Sequence, residues 1–430
     1  MANLNYKQDD TASAVLQKNP LDRKWNHYLL ISIVFGGFLI FGFSENIKGP
    51  AIPLIQQDFR ASQTQIGLLL ALNSFGYLLA CSYTSWMSDR IGVKWTGISA
   101  FLLMTFSGVF IYLSASFPSL SAAFFVLYLG NGMLEIALGI MAARIFTKNT
   151  GTMLNISHFF YGLSSTVAPI FAASVMDWHW GEGYVGWRGM YFLFLALSLL
   201  PILPSLFSKF PAESKSDGDG ASFKSLIKDR VAWLIVAVLS LGVVSEMAVG
   251  GWLINFLVQA YSWDIKEASN MLSLFFLFFM FARLLLGPVT DKIGFARSIM
   301  YFSAFSGICT IAGILIGEKG AIFFCISGIG IALVYPTIMA LLAKRYPIGT
   351  GAAITFTVTL MGIASVIGNF LIGFIIDTAR IAANSLGAAN SEIIGLKFGY
   401  GFIGLLALLC SVCCYFLYRS TEKKQRNNMI

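Results

Sequence analysis

Charged side chains are scarce in this sequence. Only 12% of its 430 residues are charged and 57% are hydrophobic, whereas a soluble domain carries about 25% charged residues. This deficit excludes an ordinary soluble protein. Disorder is excluded as well, because 38 Phe and 9 Trp can bury more apolar surface than the ordering of the chain requires. The composition therefore predicts a membrane protein.

Motifs for catalysis and for nucleotide binding are missing too. The sequence has no phosphate-binding loop, no metal-ligand spacing and no nucleophile motif, so we expect neither an enzyme nor nucleotide-driven transport, and no metal or cofactor. The six cysteines lie in apolar runs, where a thiol behaves as a small hydrophobic group. No small-residue cleavage site follows the first apolar run, so a removable signal peptide is not expected.

Long apolar runs make up most of the chain. Alternating barrel strands are absent, so the membrane-crossing segments should be helices, each of roughly 20 residues for a hydrocarbon core of about 30 Å. We therefore predict an all-α membrane protein with twelve transmembrane helices, called spans 1 to 12. They fall near residues 28–53, 66–87, 95–115, 119–146, 153–177, 188–208, 231–259, 269–290, 296–316, 320–343, 351–377 and 396–418.

The basic residues are distributed unequally between the two sides of these spans. If both ends of the chain face the cytoplasm, 21 Lys and Arg lie on that side and six on the other, as the positive-inside rule requires. The net charge of +8 therefore reports orientation and does not indicate a nucleic-acid partner. We expect an integral multi-pass protein of the plasma membrane, in a bacterium the inner membrane, surrounded by lipid and with both termini cytoplasmic.

An internal repeat relates the two halves of the chain, which a polar stretch at 209–230 separates. Four motifs recur in order after 198 to 202 residues. They are Ser44-Glu45 with Gly49 and Ser245-Glu246 with Gly250, Asp89-Arg90-Ile91-Gly92 and Asp291-Lys292-Ile293-Gly294, Gly130 with Gly132 and Gly328 with Gly330, and Asp177 and Asp377. Parallel repeats of six helices are typical of secondary transporters, with the solute bound between them. We predict a cytoplasmic tail (1–27), a six-helix bundle (28–208), a linker (209–230), a second bundle (231–418) and a cytoplasmic tail (419–430).

Three glutamates lie within spans 1, 4 and 7, where a charge costs at least about 2.5 kcal/mol and suggests a function. Their spacing along the chain predicts that these spans line one central cavity. Glu135 has no basic neighbour in its span, so we expect it to carry a proton, although a hydrogen bond to Asn131 is an alternative. Glu45 lies one turn from Lys48 and fits either an ion pair or proton coupling. Glu246 has no such neighbour, and coupling and structural roles stay open.

Charged residues near the cytoplasmic ends of the spans are candidates for gating. Arg283 lies two turns before Asp291, and we expect it to neutralise an acidic group at these helix ends, with a gating or structural role. The repeated loops carry the other predicted gating residues, Asp89, Arg90, Asp291 and Lys292.

Two polar stripes run along otherwise apolar helices and are candidates for binding the solute. Because such stripes face protein or water and not lipid, each fits solute contact or a hydrogen bond between helices. An aromatic ring beside amides suits a sugar, whose C–H face stacks while its hydroxyls donate and accept. The stripes are Asn155, His158 and Tyr161 in span 5, and Trp252, Asn255 and Gln259 in span 7.

Several motifs resemble the major facilitator superfamily. The loops "SDRIGVKW" and "GPVTDKIGFAR" and the start of span 6, "GWRGMYFLF", are similar to its conserved segments. Four further stretches, "GNGMLE", "LNISHFFYG", "SEMAVGGWLINFL" and "YPTI", resemble its fucose/glucose-type proton symporters. The resemblance implies two pseudo-symmetric six-helix bundles, a proton-coupling role for Glu135 and solute contacts at Asn155, His158 and Asn255. Tyr335, which begins "YPTI", is a further predicted contact.

These observations together predict a secondary active transporter driven by a proton gradient. We expect a monomer that takes up a small neutral solute, such as a monosaccharide, by alternating access of its two bundles. A proton-coupled exporter of drugs or metabolites is an alternative, since abundant Phe and Met suit apolar ligands. A sensor that binds solute without moving it is a second alternative, although tails of 27 and about 12 residues offer little room for a signalling domain.

Overall fold

Helices long and apolar enough to cross a membrane make up most of the protein. The computed structural model describes residues 20–146, 150–181, 183–210, 223–347 and 349–427. Within these ranges 12 helices qualify as membrane spans, which confirms the predicted all-α fold and the number of spans. Much of the predicted tail 1–27 and of the linker 209–230, and the last residues of the tail 419–430, lie outside the described residues. The boundaries of the two bundles stay a prediction.

The helices follow one another with short connections. Spans 1 to 6 consist of α1 (Pro20–Asn46) with α2 (Lys48–Phe59), α3 (Gln63–Ile91), α4 (Val93–Leu113), α5 (Phe117–Ile145), α6 (Thr150–Met176), and α7 (Gly186–Ala196) with α8 (Ile202–Phe207). Spans 7 to 12, which follow α9 (Phe223–Lys228), consist of α10 (Arg230–Tyr261), α11 (Ile265–Leu285), α13 (Phe295–Ile316), α14 (Ile322–Ile331) with α15 (Val334–Arg345), α16 (Thr350–Ser385) and α17 (Ser391–Asn427). The short helix α12 (Gly287–Ile293) follows span 8, and strands β1 (His179–Trp180) and β2 (Gly183–Tyr184) form an antiparallel hairpin before span 6. We call spans 1 to 6 the first half and spans 7 to 12 the second half.

Prolines explain two of the breaks within spans. Span 1 is interrupted at Ile47, between α1 and α2, and Pro50 follows three residues later. Span 10 is interrupted between α14 and α15, and Pro336 lies in the first turn of α15. Because proline has no amide N–H, each removes the helical hydrogen bond to the carbonyl four residues earlier. In span 10 that carbonyl belongs to Ala332.

The connections lie at two ends of the bundle, the linker end and the far end. The linker end carries the start of α1, the segment between α8 and α10, and the repeated loops. In these loops Gly92 and Gly294 have φ values of 86° and 95°, which glycine adopts without the steric cost of a side chain. The far end carries the turns after α2, α4, α6, α10, α13 and α16. The similar backbone conformation of Gly92 and Gly294 agrees with the predicted repeat.

Exposed tryptophans occur at both ends, as expected where a membrane protein meets the lipid headgroups. Trp25, Trp86, Trp95 and Trp233 are exposed at the linker end, and Trp178 is exposed at the far end. Together with the span lengths, they place the two ends at opposite membrane surfaces.

Glycines bring the two halves into close contact toward the far end. A Cβ atom on Gly49 would lie 3.0 Å from the carbonyl oxygen of Gly250, its counterpart in the repeat. A Cβ atom on Gly373 of α16 would lie only 2.2 Å from the carbonyl oxygen of Gln63 at the start of α3. Small residues allow helix backbones to approach this closely. The spacing of Gly49 and Gly250 in the sequence thus corresponds to a contact between the halves.

Polar side chains complete this contact at the far end. Asp377 Oδ2 accepts hydrogen bonds from the backbone amide of Thr64, at 2.7 Å, and from its hydroxyl, at 2.6 Å. Lys266 Nζ lies 2.6 Å from Asp177 Oδ2. Both contacts join the first half to the second. The far end is therefore closed, and we infer that the space between the halves opens toward the linker end.

At the linker end, Asp229 caps α10 and also holds the end of α15. Its Oδ1 accepts from the Val231 amide at 2.8 Å, and its Oδ2 accepts from the Tyr346 hydroxyl at 2.6 Å and from Arg345 at 3.1 Å. Partial burial raises the pKa of the Asp229 carboxyl, but the hydrogen bonds from Tyr346, Val231 and Arg345 outweigh it and hold that pKa below its ordinary value of 3.8. The charged form is thus the one that the fold stabilises.

Replacing Asp229 by alanine should lower the thermal stability of the purified protein by more than the loss of a helix cap alone, which costs about 1 kcal/mol. Asp264→Ala is the matched control, because Asp264 caps α11 through the Lys266 amide at 2.8 Å. Because folding lowers the pKa of Asp229, its contribution is complete at neutral pH and is lost as the pH falls below 3.8. Equal unfolding temperatures for the two variants at neutral pH would contradict this role.

Candidate functional site

Glu45 lies in a buried cluster of three polar side chains in the first half. It forms an ion pair with Lys48, one turn along span 1, and both side chains are less than 10% exposed. The Tyr128 hydroxyl of α5 accepts from Lys48 Nζ at 3.0 Å and donates to Glu45 Oε1 at 3.4 Å. The ion pair that we considered for Glu45 is therefore present, and its coupling role stays a prediction. The hydroxyl of Tyr128, two turns before Glu135 in an apolar span, could have indicated this cluster but was missed.

Glu246 has a basic partner on the neighbouring span. Arg283 Nη2 lies 3.5 Å from Glu246 Oε1, while its Nε donates to the Ala332 carbonyl at 3.0 Å. This is the carbonyl that Pro336 leaves without a helical hydrogen bond. We expected Arg283 to neutralise an acidic group at the cytoplasmic helix ends, but its acidic partner is Glu246 within span 7. Its gating role stays a prediction.

Glu135 differs from the other two glutamates. Its Oε2 is buried and has no hydrogen-bond partner among the described residues, and no ion pair is found for it there. The alternative of a hydrogen bond to Asn131 was wrong, because Asn131 Oδ1 accepts from Ser44 at 2.6 Å and Asn131 Nδ2 has no partner in the described structure. Glu135 is nevertheless partly accessible. It is thus a carboxyl group without a partner among the described residues.

Several predicted solute contacts surround these charges. The hydroxyl of Tyr335 is within electrostatic range of Glu135, Arg283 and Glu246, and that of Tyr161 is within range of Glu45, Glu246 and Glu135. Spans 1, 4, 5, 7, 8 and 10 therefore meet around one charged region.

His158 lies at the edge of this region. It is exposed, its ring centre lies 5.2 Å from that of Phe38, and it is within electrostatic range of Arg283. The third member of its stripe, Asn155, has a side chain outside the described part of the structure. The structure thus brings His158 and Tyr161 near the charged region, and the predicted solute contacts of Asn155, His158 and Tyr161 stay predictions.

The polar stripe of span 7 lies in the closed far-end contact. Asn255 donates to Gln63 at 3.0 Å. The side-chain oxygen of Gln259 accepts from Gln63 at 2.7 Å, and its amide donates to Gln56 at 2.7 Å and to Asn255 at 2.8 Å. Trp252 is buried, and its indole N–H has no partner within the described residues. In this conformation Asn255 and Gln259 join the halves and are not free to bind a solute, so their predicted contacts stay untested.

The predicted gating residues of the repeated loops are exposed at the linker end. Asp89, Arg90, Asp291 and Lys292 are all solvent-accessible. Within the described ranges Asp89 and Asp291 form no ion pair, while Arg90 packs over the Trp86 ring at 5.3 Å. In this conformation the aspartates of the two loops therefore have no charged partner among the described residues.

A pocket between the halves contains residues that sequence reasoning missed. It is lined by Glu45, Lys48, Leu70, Asn73, Ser74, Tyr77, Tyr128, Met247, Met361, Gly362, Ser365 and Asn369. Asn73 of α3 is only 2% exposed, yet both its amide nitrogen and its oxygen lack partners in the described structure. Leaving a buried polar group unpaired costs about 1–3 kcal/mol. An amide within the apolar run of span 2 was the signal available for it.

Replacing Lys48 by methionine should destabilise the protein by about 3–5 kcal/mol, because it leaves the buried charge of Glu45 without a partner. The double variant Glu45→Gln/Lys48→Met should recover most of this loss. Arg188→Met is the matched control, since the Arg188–Asp58 pair is 32% and 43% exposed and should contribute about 1 kcal/mol or less. Thermal unfolding in detergent measures all three. A double variant no more stable than Lys48→Met would contradict the ion-pair explanation.

Comparison with known proteins agrees with this architecture. A relative from Buchnera aphidicola, described as a TsgA homolog, is 19% identical over 343 residues, which are 77% of this chain and 84% of the relative. A bacterial homolog of the human lysosomal transporter Spinster, solved in an inward-facing conformation, superposes with a TM-score of 0.78 at 14% identity over 94% of this chain and 98% of its own. The Escherichia coli fucose:proton symporter superposes with a TM-score of 0.57 at 18% identity over 89% and 98%.

The family itself follows from a match that spans nearly the whole chain. Residues 34–369 and 244–429 match the sequence profile of the Major Facilitator Superfamily, a superfamily of secondary transporters. The expectation from the loop motifs and the repeat is thereby confirmed, and the chain belongs to the Major Facilitator Superfamily.

Proposed function

We propose that this protein is a proton-coupled importer of a small neutral solute, with a monosaccharide as the best-fitting class. The observation that carries the proposal is the carboxyl of Glu135, which has no partner among the described residues in a region where Glu45 and Glu246 each have a basic partner. The two ion pairs cancel their own charges. Protonation of Glu135 therefore decides whether this region is neutral or negative, and a neutral region costs less to enclose between two packed bundles.

The transport cycle follows from the closed far end. We assign the linker end to the cytoplasm, because 21 of the Lys and Arg fall on that side and six on the other. The structure is then inward-facing, and the similarity to the inward-facing Spinster homolog supports this assignment. Solute and proton enter after the far-end contact opens, and both leave from the present conformation. Deprotonation of Glu135 into the cytoplasm completes the step.

We further propose that the repeated loops act as the cytoplasmic gate. Asp89 and Arg90 of one loop and Asp291 and Lys292 of the other are exposed here, at the end that we infer to be open. Closing this end brings the two loops toward each other, so their charges gain partners only in the outward-facing conformation. The two six-helix bundles, 28–208 and 231–418, are the bodies that rock.

The charge of the region favours a neutral solute. Lys48 and Arg283, the basic residues of this region, are each bound to a glutamate, so neither is free for an anion. Hydroxyl groups from Tyr161 and Tyr335, with the imidazole of His158, offer donors and acceptors suited to a sugar. The likeness in fold to the fucose:proton symporter also supports this class.

Reconstituted protein in liposomes provides the test. With an imposed pH gradient, acid outside, the protein should accumulate one radiolabelled monosaccharide and take up external protons in step with it. Thermal unfolding against a panel of sugar epimers and hydrophobic drugs identifies the solute, since a bound ligand raises the unfolding temperature. Stabilisation by several unrelated drugs and by no sugar would refute the sugar assignment and favour the exporter. Binding of a sugar without movement across the membrane would favour the sensor.

A further inference from the structure

We propose that Asn73 binds hydroxyl groups of the transported solute and selects it by them. This inference rests on the proposed function and assigns a specific pocket to the solute. The pocket lies between α3 of the first half and α10 and α16 of the second, with Asn73, Tyr77, Met247, Met361 and Asn369 in its wall. The cluster of Glu45, Lys48 and Tyr128 forms its other side.

The hydrogen bonds of the neighbouring side chains single out Asn73. The Asn369 amide donates to Ser74 Oγ and to the Ser365 carbonyl, both at 3.1 Å. Ser365 Oγ donates to the Met361 carbonyl at 3.0 Å. Asn73 is as buried as these residues, but both polar atoms of its side chain are unpaired within the described structure. Because buried polar groups in native proteins are almost always satisfied, we infer that a ligand or a water fills this position during transport.

The position of the pocket along the membrane normal fits the solute path. Asn73 follows the start of α3 at Gln63 by 10 residues, which corresponds to about 15 Å along the helix. The helix has 29 residues, so Asn73 lies in its middle third. Solute sites in transporters of two repeats lie near the midplane at the interface of the repeats. The Ser74–Asn369 hydrogen bond crosses this interface, so opening of the far end would also open the pocket.

The chemistry of the wall indicates the class of ligand. An amide offers two N–H donors and a carbonyl acceptor, so it matches a hydroxyl or an adjacent pair of hydroxyls, which donate and accept together. An anionic ligand finds no unpaired positive charge in this wall, because Lys48 is bound to Glu45. A hydrocarbon would leave the amide unpaired. Met247 and Met361 supply apolar contact for the C–H side of a sugar ring.

The size of the pocket limits what enters it in the present conformation. The centre of a water molecule can occupy about 40 Å³ of this pocket. One water needs about 10–15 Å³ of such volume, so the pocket holds roughly three waters. The pocket thus has room for one hydroxyl-bearing edge of a monosaccharide, and the remainder of the ring would lie outside it. We expect ordered water in this pocket when the solute is absent.

Asn73→Leu separates a solute contact from a structural role. Without ligand, the variant should unfold at the same temperature as the unaltered protein or higher, because it removes two unpaired buried polar groups. Its affinity for the transported monosaccharide, measured by calorimetry in detergent, should fall roughly 10- to 100-fold. Among the monodeoxy derivatives of that sugar, one should bind the unaltered protein weakly yet lose no further affinity in Asn73→Leu.

Two further variants keep this test decisive. Asn384→Leu makes the same substitution at an exposed position of α16 and should leave affinity unchanged. Asn73→Ser keeps a hydroxyl and should lose less affinity than Asn73→Leu, and it replaces that variant if Asn73→Leu fails to fold. Equal sugar affinity in Asn73→Leu or Asn73→Ser and in the unaltered protein would overturn the inference and leave the proposed function intact. If no monosaccharide or derivative binds the unaltered protein, both are overturned.

Discussion

Replacing Glu135 by glutamine should abolish proton-driven accumulation while leaving solute exchange intact. A membrane potential of 100 mV supplies about 2.3 kcal/mol per proton, which sustains roughly a 50-fold solute gradient at about 1.4 kcal/mol per decade. The variant cannot carry the proton, so its accumulation ratio should fall to about one. Glutamine resembles the protonated glutamate in shape and charge, so the bundles should still rock with solute bound. Counterflow in liposomes therefore persists.

The controls for Glu135 distinguish coupling from general damage. Glu392→Gln makes the same change at a far-end carboxylate that is 82% exposed and should retain the full solute gradient. Glu135→Asp keeps a titratable group and should retain coupling, although more weakly, since the carboxyl is displaced by one methylene. A Glu135→Gln protein that still concentrates solute on an imposed pH gradient would show that another residue carries the proton.

Removing the side chain of Asp377 should shift the protein from the inward-facing toward the outward-facing conformation. This carboxylate is 11% exposed and accepts two hydrogen bonds from Thr64 at the start of α3, across the interface of the halves. Hydrogen bonds to a charged group are each worth about 1.5–3 kcal/mol. Losing both hydrogen bonds in Asp377→Ala should therefore raise the ratio of outward to inward conformations by about 100-fold or more.

The counterpart of Asp377 in the repeat, Asp177, provides a matched control. Asp177 precedes Asp377 by 200 residues and pairs with Lys266 at the start of α11, so both acids join the end of one half to the beginning of a helix in the other. The Lys266–Asp177 pair is 53% and 59% exposed, however, and such pairs contribute about 1 kcal/mol or less. Asp177→Ala should therefore shift the ratio by less than about fivefold.

Distances between spin labels measure this shift. Ala115 of the first half and Asn390 of the second are exposed in far-end connections, and labels at these positions should move apart when the far end opens. Asp377→Ala should show a larger population of the longer distance than Asp177→Ala. Equal populations in both variants and in the unaltered protein would mean that glycine packing alone, at Gly49, Gly250 and Gly373, keeps the far end closed.

The sequence identified the membrane spans reliably because a bilayer imposes a simple rule. Every backbone polar group must be satisfied within the hydrocarbon, so a spanning segment must be a long apolar helix. Glu45, Glu135 and Glu246 were conspicuous because a charged side chain within the membrane is costly. The repeat was visible because its motifs recur in short loops, those that carry Gly92 and Gly294. These features depend on short stretches of chain and need no knowledge of neighbours.

The partner of each charge could not be predicted in the same way. Arg283 was expected to act near Asp291, two turns away on the same helix, yet it binds Glu246 of span 7 and the carbonyl that Pro336 frees in span 10. The polar stripe with Asn255 and Gln259 was correctly expected to avoid lipid, but its face meets Gln63 of the other half. Periodicity indicates which face of a helix is polar, but it does not indicate which residues of other helices pack against that face.

The sequence by itself determined that this protein is a twelve-helix transporter of the Major Facilitator Superfamily with three glutamates in its membrane, because span length, apolar content and loop motifs are local properties. Only the tertiary structure decided that Glu45 and Glu246 are paired and that Asp377 closes the far end. It also decided that Glu135, and Asn73 in the wall of a pocket, have no polar partner among the described residues. These are contacts between helices distant in the chain, and their pairing follows from how twelve spans pack around one another.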